Sequence, residues 1–193
     1  MNITQRLELF YAERVRYFKL LRTISWTKKI GLSLLFALIT GIFAQIRIPL
    51  GFTPVPVTGQ VFAVLMSGVL LGGFYGGMSM VFYLLLGGLG VPWFAGLRSG
   101  LMPGPTLGYL FGFIPAAVFV GIFIHRFRNL LAQLLIMLGG IAIIYFLGAV
   151  NFAWYLRVEF PTTLKLAVLP FIPFDIAKAI IAGFVSRALI PDR

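Results

Sequence analysis

One acidic and one basic side chain lie deep inside an apolar stretch near the end of the sequence. Asp175 and Lys178 belong to the last long apolar run, from about residue 164 to residue 190. Residues three apart share a helical face, so the carboxylate and the ammonium can form an ion pair. A charge inside a membrane costs about 3 kcal/mol on insertion scales. The pair therefore indicates a binding site, and the alternative is an ion pair that only locks two helices together.

Two prolines precede this pair by about one helical turn. Pro170 and Pro173 predict a broken or kinked helix just before Asp175, because proline removes a backbone donor and clashes with the preceding turn. A broken helix leaves backbone groups free to face a cavity. The charged pair is therefore predicted to lie at the edge of such a cavity.

Other polar side chains could bind a ligand together with the pair. Arg98 stands in a loop rich in glycine and aromatic residues, 92–105, and its guanidinium can bind a carboxylate with two hydrogen bonds. The alternative for Arg98 is a side chain that reaches from the membrane to the interface. Tyr83 carries a hydroxyl within an apolar run, and it serves either a ligand or a helix-to-helix hydrogen bond. Tyr145 and Asn151 are polar positions in a later run.

The residue inventory disfavours an enzyme. The sequence has no cysteine and a single histidine, His125, beside a basic helix end. It contains no phosphate-binding G-x-x-x-x-G-K-[ST] loop, no H-E-x-x-H and no G-x-S-x-G. Neither a metal site nor a cofactor is predicted. A channel is weakly supported, because nothing suggests a ring of charges or a selectivity filter.

The composition predicts an all-α membrane protein that holds these residues within a bundle of helices. Hydrophobic residues make up 60% of the 193 residues, and the mean hydropathy is +1.01. Such values are typical of a polytopic membrane protein. Apolar runs predict six transmembrane helices in one domain, residues 30–193. They cover about residues 30–46, 60–71, 74–91, 106–124, 130–156 and 164–190.

The distribution of charge predicts the orientation. Residues 1–29 are basic with a periodic apolar face, which predicts an amphipathic helix on the cytoplasmic membrane surface. Lys and Arg concentrate there, after the fourth span and at the C-terminal end, so both termini are predicted to be cytoplasmic. The net charge of +11 fits anionic lipid headgroups, and no nucleic-acid partner is predicted. The proline-rich loops then face outward above Asp175.

A stripe of small residues runs along the first span. Ser33, Ala37 and Gly41 recur at four-residue spacing, and such stripes let another helix approach closely. Taken alone, the stripe is equally consistent with packing inside the protein and with docking on a partner subunit.

Three blocks of the sequence are distinctive when they are taken together. They are P-V-P-[VI]-T-x-Q, which ends at Gln60, G-P-T-x-G-Y-L-x-G-F, which runs through residues 104–113, and the Pro-Phe-Asp-Ile-Ala-Lys segment over residues 173–178. With these blocks the sequence resembles the BioY family of biotin-binding subunits in energy-coupling-factor transporters, and the resemblance covers the chain from about Ile30 onward.

The resemblance implies a substrate-binding subunit of the cell membrane that captures biotin at the outer face. It further implies a membrane scaffold subunit and two cytoplasmic ATPases as partners, and docking through the stripe. The ligand-binding residues that follow are Asp175, Lys178, Gln60, Tyr83, Arg98 and Tyr145. The alternatives are a related subunit for another vitamin or small precursor and, with less support, a small intramembrane enzyme.

Overall fold

The computed structural model describes residues 23–127 and 129–190, together with Gln5, Ala12 and Arg16. Residues 1–4, 6–11, 13–15 and 17–22 of the predicted amphipathic helix over residues 1–29 lie outside the described residues, as do Arg128 and the last three residues of the chain. The described part is mostly helical, as the composition predicts.

Residues 26–189 form six α-helices, one 3-10 turn and a ladder of two short strands. The elements are α1 (Trp26–Gln45), β1 (Arg47–Ile48), β2 (Val57–Thr58), α2 (Gln60–Gly88), α3 (Leu107–Phe123), α4 (Leu130–Leu156), α5 (Phe160–Ala167), a 3-10 turn (Leu169–Phe171) and α6 (Ile172–Leu189). By length and composition, four of the described helical stretches could cross a membrane: α1, α2, α4 and the stretch Phe160–Leu189. Helix α3 is equally apolar but shorter.

Helix α2 is divided into two arms at Gly72. This residue has φ 77° and ψ 175°, a conformation that glycine adopts without a steric penalty. A Cβ atom placed on Gly76 would lie 2.9 Å from the Cα of Gly68, whereas eight residues of continuous helix span about 12 Å. The two arms therefore lie against each other as a hairpin. The reversal falls between the two predicted spans 60–71 and 74–91, at the pair Gly72-Gly73.

The segment between α1 and α2 is not helical, and it forms a short antiparallel ladder that the sequence did not predict. Arg47 pairs with Thr58, and Ile48 pairs with Val57. Pro49, Pro54 and Pro56 lie between the two strands, where they lack the N–H groups that a helix would need. The ladder closes this proline-rich loop at its base.

The helices pack around one apolar core. Helix α2 packs on α1 and α3, and α4 packs on α3 and α6. The largest fully buried side chains come from α2, α3, α4 and the turn after α3, and they include Leu65, Met80, Tyr83, Ile124, Met137, Ile144 and Phe152. Large apolar residues also cover the outer surface, for example Ile42, Phe146 and Phe184. A membrane protein presents such a surface to lipid.

The last helical stretch is broken where the prolines predict it. Helix α5 ends at Ala167, and Val168 follows with non-helical φ −129° and ψ −63°. The 3-10 turn contains Pro170, and α6 begins at Ile172 with Pro173 in its first turn. Asp175 thus lies in the first turn of α6.

Candidate functional site

A cavity of about 840 Å³ opens between the proline-rich loop, the loop over residues 92–105 and the helices α3, α4 and α6. Its volume lies within the range of small-molecule sites, roughly 300–1,000 Å³. We call the lining residues between 47 and 58 and between 94 and 106 the loop wall. We call the lining residues of α3, α4 and α6 the helical wall, which includes Tyr109, Phe113, Ile144, Tyr145, Asp175 and Lys178.

The centre of the helical wall is the Asp175 carboxylate. Its Oδ1 lies 2.6 Å from the Nζ of Lys178, and its Oδ2 accepts a hydrogen bond of 2.6 Å from the hydroxyl of Tyr145. Asp175 is 4% exposed. Each carboxylate oxygen keeps a further lone pair, and the ammonium keeps further N–H donors. The group can therefore bind a ligand that carries both donors and an acceptor.

The break before α6 explains why a carboxylate is stable in this buried position. Asp175 lies in the first turn of α6, where the helix dipole favours negative charge. Lys178 lies one turn further along the same face and neutralises it. Tyr145 reaches the carboxylate from α4. Three side chains from two helices thus converge at one point of the cavity.

Tyr109 is a member of the helical wall to which the sequence reasoning gave no role. Its hydroxyl donates a hydrogen bond of 2.6 Å to the carbonyl of Ala167, the last residue of α5. The bond ties α3 to the end of the helix that precedes the break. Tyr109 belongs to the G-Y-L block over residues 108–110, and that block was the available signal.

Gln60 and Tyr83 lie side by side, but only Gln60 lines the cavity. The amide of Gln60 donates to the hydroxyl of Tyr83 at 2.7 Å and accepts from the hydroxyl of Thr58 at 3.0 Å. Tyr83 is fully buried behind it, and its hydroxyl lies 3.3 Å from the carbonyl of Trp93. Tyr83 thus forms its hydrogen bonds within the protein. Of the two roles predicted for it, this arrangement agrees with the structural one, a hydrogen bond between helices, and not with a ligand contact.

Arg98 lies in the loop wall, at the exposed side of the cavity. Its backbone pairs with Phe94 in an isolated bridge, with Phe94 N to Arg98 O at 3.0 Å. The intervening turn contains Gly96 at φ 81° and Leu97 at φ 56°. No salt bridge joins its guanidinium to a carboxylate within the described ranges. The Arg98 side chain can therefore approach an anionic ligand.

The loop over residues 92–105 is fastened by side-chain amides. Gln45 at the end of α1 donates to the carbonyls of Gly41, Trp93 and Phe94 at 2.9, 3.1 and 3.3 Å, and it accepts from the N–H of Leu97 at 3.0 Å. Near the other end of the loop, Asn151 of α4 donates to the carbonyl of Gly104 at 2.9 Å. Gln45 is not among the residues for which the sequence predicted a role.

The small-residue stripe of α1 faces the interior. Ser33 donates to the carbonyl of Tyr75 at 3.0 Å, and a Cβ atom on Gly41 would meet the Cβ of Trp93 at 2.8 Å. Ser33 and Ala37 are fully buried. This placement corresponds to the first of the two predicted uses, packing inside the protein. Docking on a partner through the stripe stays a prediction, and it would require α1 to separate from α2.

Comparison with families of known proteins gives one match over most of the chain. A model described as the BioY family matches residues 13–192. A protein named "Biotin transporter BioY" from Thermotoga maritima is 36% identical over 157 residues, which cover 80% of this chain and 91% of that protein. A protein of the same name from Rhodobacter capsulatus is 35% identical over 175 residues, with 79% and 92% covered.

A solved structure shares the fold. It is described as the S-component for biotin from an ECF-type ABC transporter, and it superimposes with a TM-score of 0.78 at 29% sequence identity. The match covers 86% of this chain and 94% of that one.

Proposed function

The chain belongs to the BioY family, and from that premise we propose that it is the biotin-specific S-component of an ECF-type transporter. It is a multi-pass protein of the cell membrane, in keeping with its apolar helices and with the transporters it resembles. Its task is to capture biotin. The energy for uptake comes from ATP hydrolysis by other subunits, because the sequence has no phosphate-binding loop of its own.

The polar cluster around Asp175 is the observation that carries this proposal. The ureido group of biotin offers N–H donors and a carbonyl acceptor on a small rigid ring. A carboxylate can accept from the N–H groups while an ammonium donates to the carbonyl. Asp175 and Lys178 present these two groups 2.6 Å apart, and Tyr145 holds the other carboxylate oxygen. The cluster is thus complementary to the ureido group.

The rest of the cavity suits the remainder of the molecule. Phe113, Ile144 and Phe171 line it with apolar surface that fits a sulfur-containing ring and an aliphatic chain. Arg98 in the loop wall supplies a cation for the valerate carboxylate. In this proposal Gln60 contacts the ligand from the junction of the walls, and Tyr83 supports Gln60 from behind.

We further propose six membrane crossings with both termini in the cytoplasm. The two arms of α2, the helices α1, α3 and α4, and the stretch Phe160–Leu189 supply the six. The cavity then opens to the outside, where free biotin is captured. The partners are a membrane scaffold subunit and two cytoplasmic ATPases, in the manner of an ECF-type transporter.

Isothermal titration of the detergent-purified chain with biotin tests the proposal. We expect saturable one-to-one binding with nanomolar affinity and a rise in melting temperature on addition of biotin. Absence of both would overturn the biotin assignment, and a panel of other vitamins would then identify the ligand. Chemical turnover of a small molecule by the purified chain would instead support the intramembrane enzyme.

A further inference from the structure

The charged residues of the cavity are unevenly distributed. Within the described part of the chain, the charged residues that line it are Arg47, Arg98, Asp175 and Lys178. Asp175 and Lys178 neutralise each other in the helical wall. Both charges of the loop wall are guanidinium groups. The loop wall therefore carries two positive charges, one more than Arg98 alone supplies.

Arg47 is held firmly at its backbone. It pairs with Thr58 in the ladder, and the adjacent bond from the Gly59 N–H to the Ile46 carbonyl is 2.9 Å long. Thr58 also bonds to Gln60 in the cavity wall. The base of the Arg47 side chain is thus fixed relative to the other lining residues, and only its long stem can adjust.

The guanidinium of Arg47 lies against the turn that carries Arg98. A Cβ atom on Gly96 would come within 2.6 Å of Nη1 and 2.9 Å of Cζ of Arg47. Gly96, two residues before Arg98, therefore leaves room for the guanidinium of Arg47. Neither arginine makes a salt bridge with a carboxylate among residues 23–127 and 129–190. The guanidinium groups of Arg47 and Arg98 thus lie on the same side of the cavity.

We propose that Arg47 is a second carboxylate-recognition residue and that it acts together with Arg98 on the anionic end of the ligand. The inference rests on the proposed function, since biotin carries its carboxylate at the end of a flexible chain. A guanidinium has five N–H donors, so two of them can enclose both oxygens of a carboxylate. Arg47 then determines specificity: it favours the free acid over derivatives in which the carboxyl group is neutral.

The test compares biotin with biotinamide, in which the carboxylate is replaced by a neutral amide. Titration of the full-length chain with both ligands is repeated for Arg47→Gln, which keeps a polar side chain but removes the charge and the fork. We expect biotin to bind about tenfold or more weakly to the variant, because hydrogen bonds between charged groups are the strong ones. Biotinamide affinity should change by less than about twofold.

One further variant distinguishes recognition from a general effect of charge. Arg157→Gln is the matched control: Arg157 is exposed and does not line the cavity, so its loss should leave both affinities unchanged. If Arg157→Gln weakened biotin as much as Arg47→Gln does, long-range attraction would explain the effect and the proposal would be overturned.

The outcomes for the two proposals are separate. Equal loss of biotin and biotinamide in Arg47→Gln would show that Arg47 only shapes the loop. No loss for either ligand would remove Arg47 from recognition, while the proposed function would stand on the wild-type titration. Failure of the wild-type chain to bind either ligand would overturn both proposals at once.

Discussion

The helical wall and the loop wall hold their polar groups in different ways. In the helical wall, side chains contact one another directly: Lys178 and Tyr145 each bind one oxygen of Asp175. In the loop wall, side-chain amides such as Gln45 bind backbone groups and leave the arginines without carboxylate partners inside the described part. The helical wall is therefore rigid and internally neutral, whereas the loop wall carries positive charge that an anionic ligand can neutralise.

This difference suggests a division of roles. A preorganised group on rigid helices recognises the part of the ligand whose shape does not vary, and the ureido ring is such a part. A loop fastened by a few amide bonds can open, admit a ligand and close over its charged end. Changes to side chains that contact the ligand should accordingly act on affinity directly, whereas changes that only unfasten the loop wall should act more weakly and on the kinetics of binding.

The largest expected effect is the loss of the charge on Asp175. Asp175→Asn leaves the ammonium of Lys178 without its ion-pair partner and replaces one of the two charged carboxylate oxygens by a neutral NH2 donor. Breaking the buried pair should lower stability by about 3–5 kcal/mol. Each hydrogen bond from the ligand to the charged carboxylate contributes about 1.5–3 kcal/mol, so biotin affinity should also fall by about a hundredfold or more. Titration calorimetry measures it.

The double variant Asp175→Asn with Lys178→Met is the control for this first prediction. It restores neutrality without restoring the ligand contacts, so the melting temperature should recover while binding stays lost. Unchanged affinity in Asp175→Asn would give the pair a purely structural role between helices.

A matched pair of tyrosines sharpens the comparison. Tyr145→Phe removes a hydroxyl that bonds to the Asp175 carboxylate, and bonds to charged groups contribute about 1.5–3 kcal/mol. We expect about a tenfold loss of biotin affinity. Tyr83→Phe removes a buried hydroxyl behind the cavity and leaves the Gln60 amide without its acceptor.

Tyr83→Phe should lower stability by about 1–3 kcal/mol and change biotin affinity by less than about threefold. Thermal unfolding measures the stability of both tyrosine variants, and titration measures their biotin affinity. If Tyr83→Phe lowers affinity as strongly as Tyr145→Phe, then Tyr83 contacts the ligand in the bound state, as the sequence prediction states.

The third prediction concerns the fastening of the loop wall. Gln45→Leu removes the bonds to the carbonyls of Trp93 and Phe94 and to the N–H of Leu97. Hydrogen exchange over residues 93–98 should become faster, and biotin should dissociate about threefold to tenfold faster, because the loop opens more often. The control is Gln133→Leu. Gln133 lies near the start of α4, so this change should leave hydrogen exchange over residues 93–98 unchanged. Equal exchange in both variants would show that Gln45 does not hold the loop.

The helical wall was largely predictable from the sequence because its signals are local. A charge inside an apolar run stands out, a partner three residues later lies on the same helical face, and prolines break a helix wherever they occur. The break before α6, the Asp175–Lys178 pair and the reversal at Gly72 all follow from such local rules.

The loop wall was not predictable in the same way. The ladder between Arg47 and Thr58 and the contacts of Gln45 with Trp93 join residues that are distant in sequence, and no periodic pattern encodes them. A glutamine at the end of an apolar helix is also common, so its residue type alone does not indicate a role. These features depend on where the loop packs, which is a property of the folded chain alone.

The smallest expected effect concerns the inner stripe of α1, and two glycines of the helix provide a matched test. A methyl group on Gly41 would meet Trp93 at 2.8 Å, whereas one on Gly31 would have open space. Gly31→Ala should stabilise the chain by about 0.5–1 kcal/mol through helix propensity, and Gly41→Ala should lose that gain to crowding against the loop.

Thermal unfolding of the two variants, with hydrogen exchange over residues 93–98, measures this difference. If the stripe packs inside the protein, only Gly41→Ala loosens the loop, and it does so in the isolated chain. If the stripe also docks on a scaffold subunit after α1 moves away from α2, Gly41→Ala should in addition weaken assembly with the scaffold, because the added methyl group would keep the partner helix at a greater distance. Equal stability of the two isolated variants would show that Gly41 is not packed against the loop.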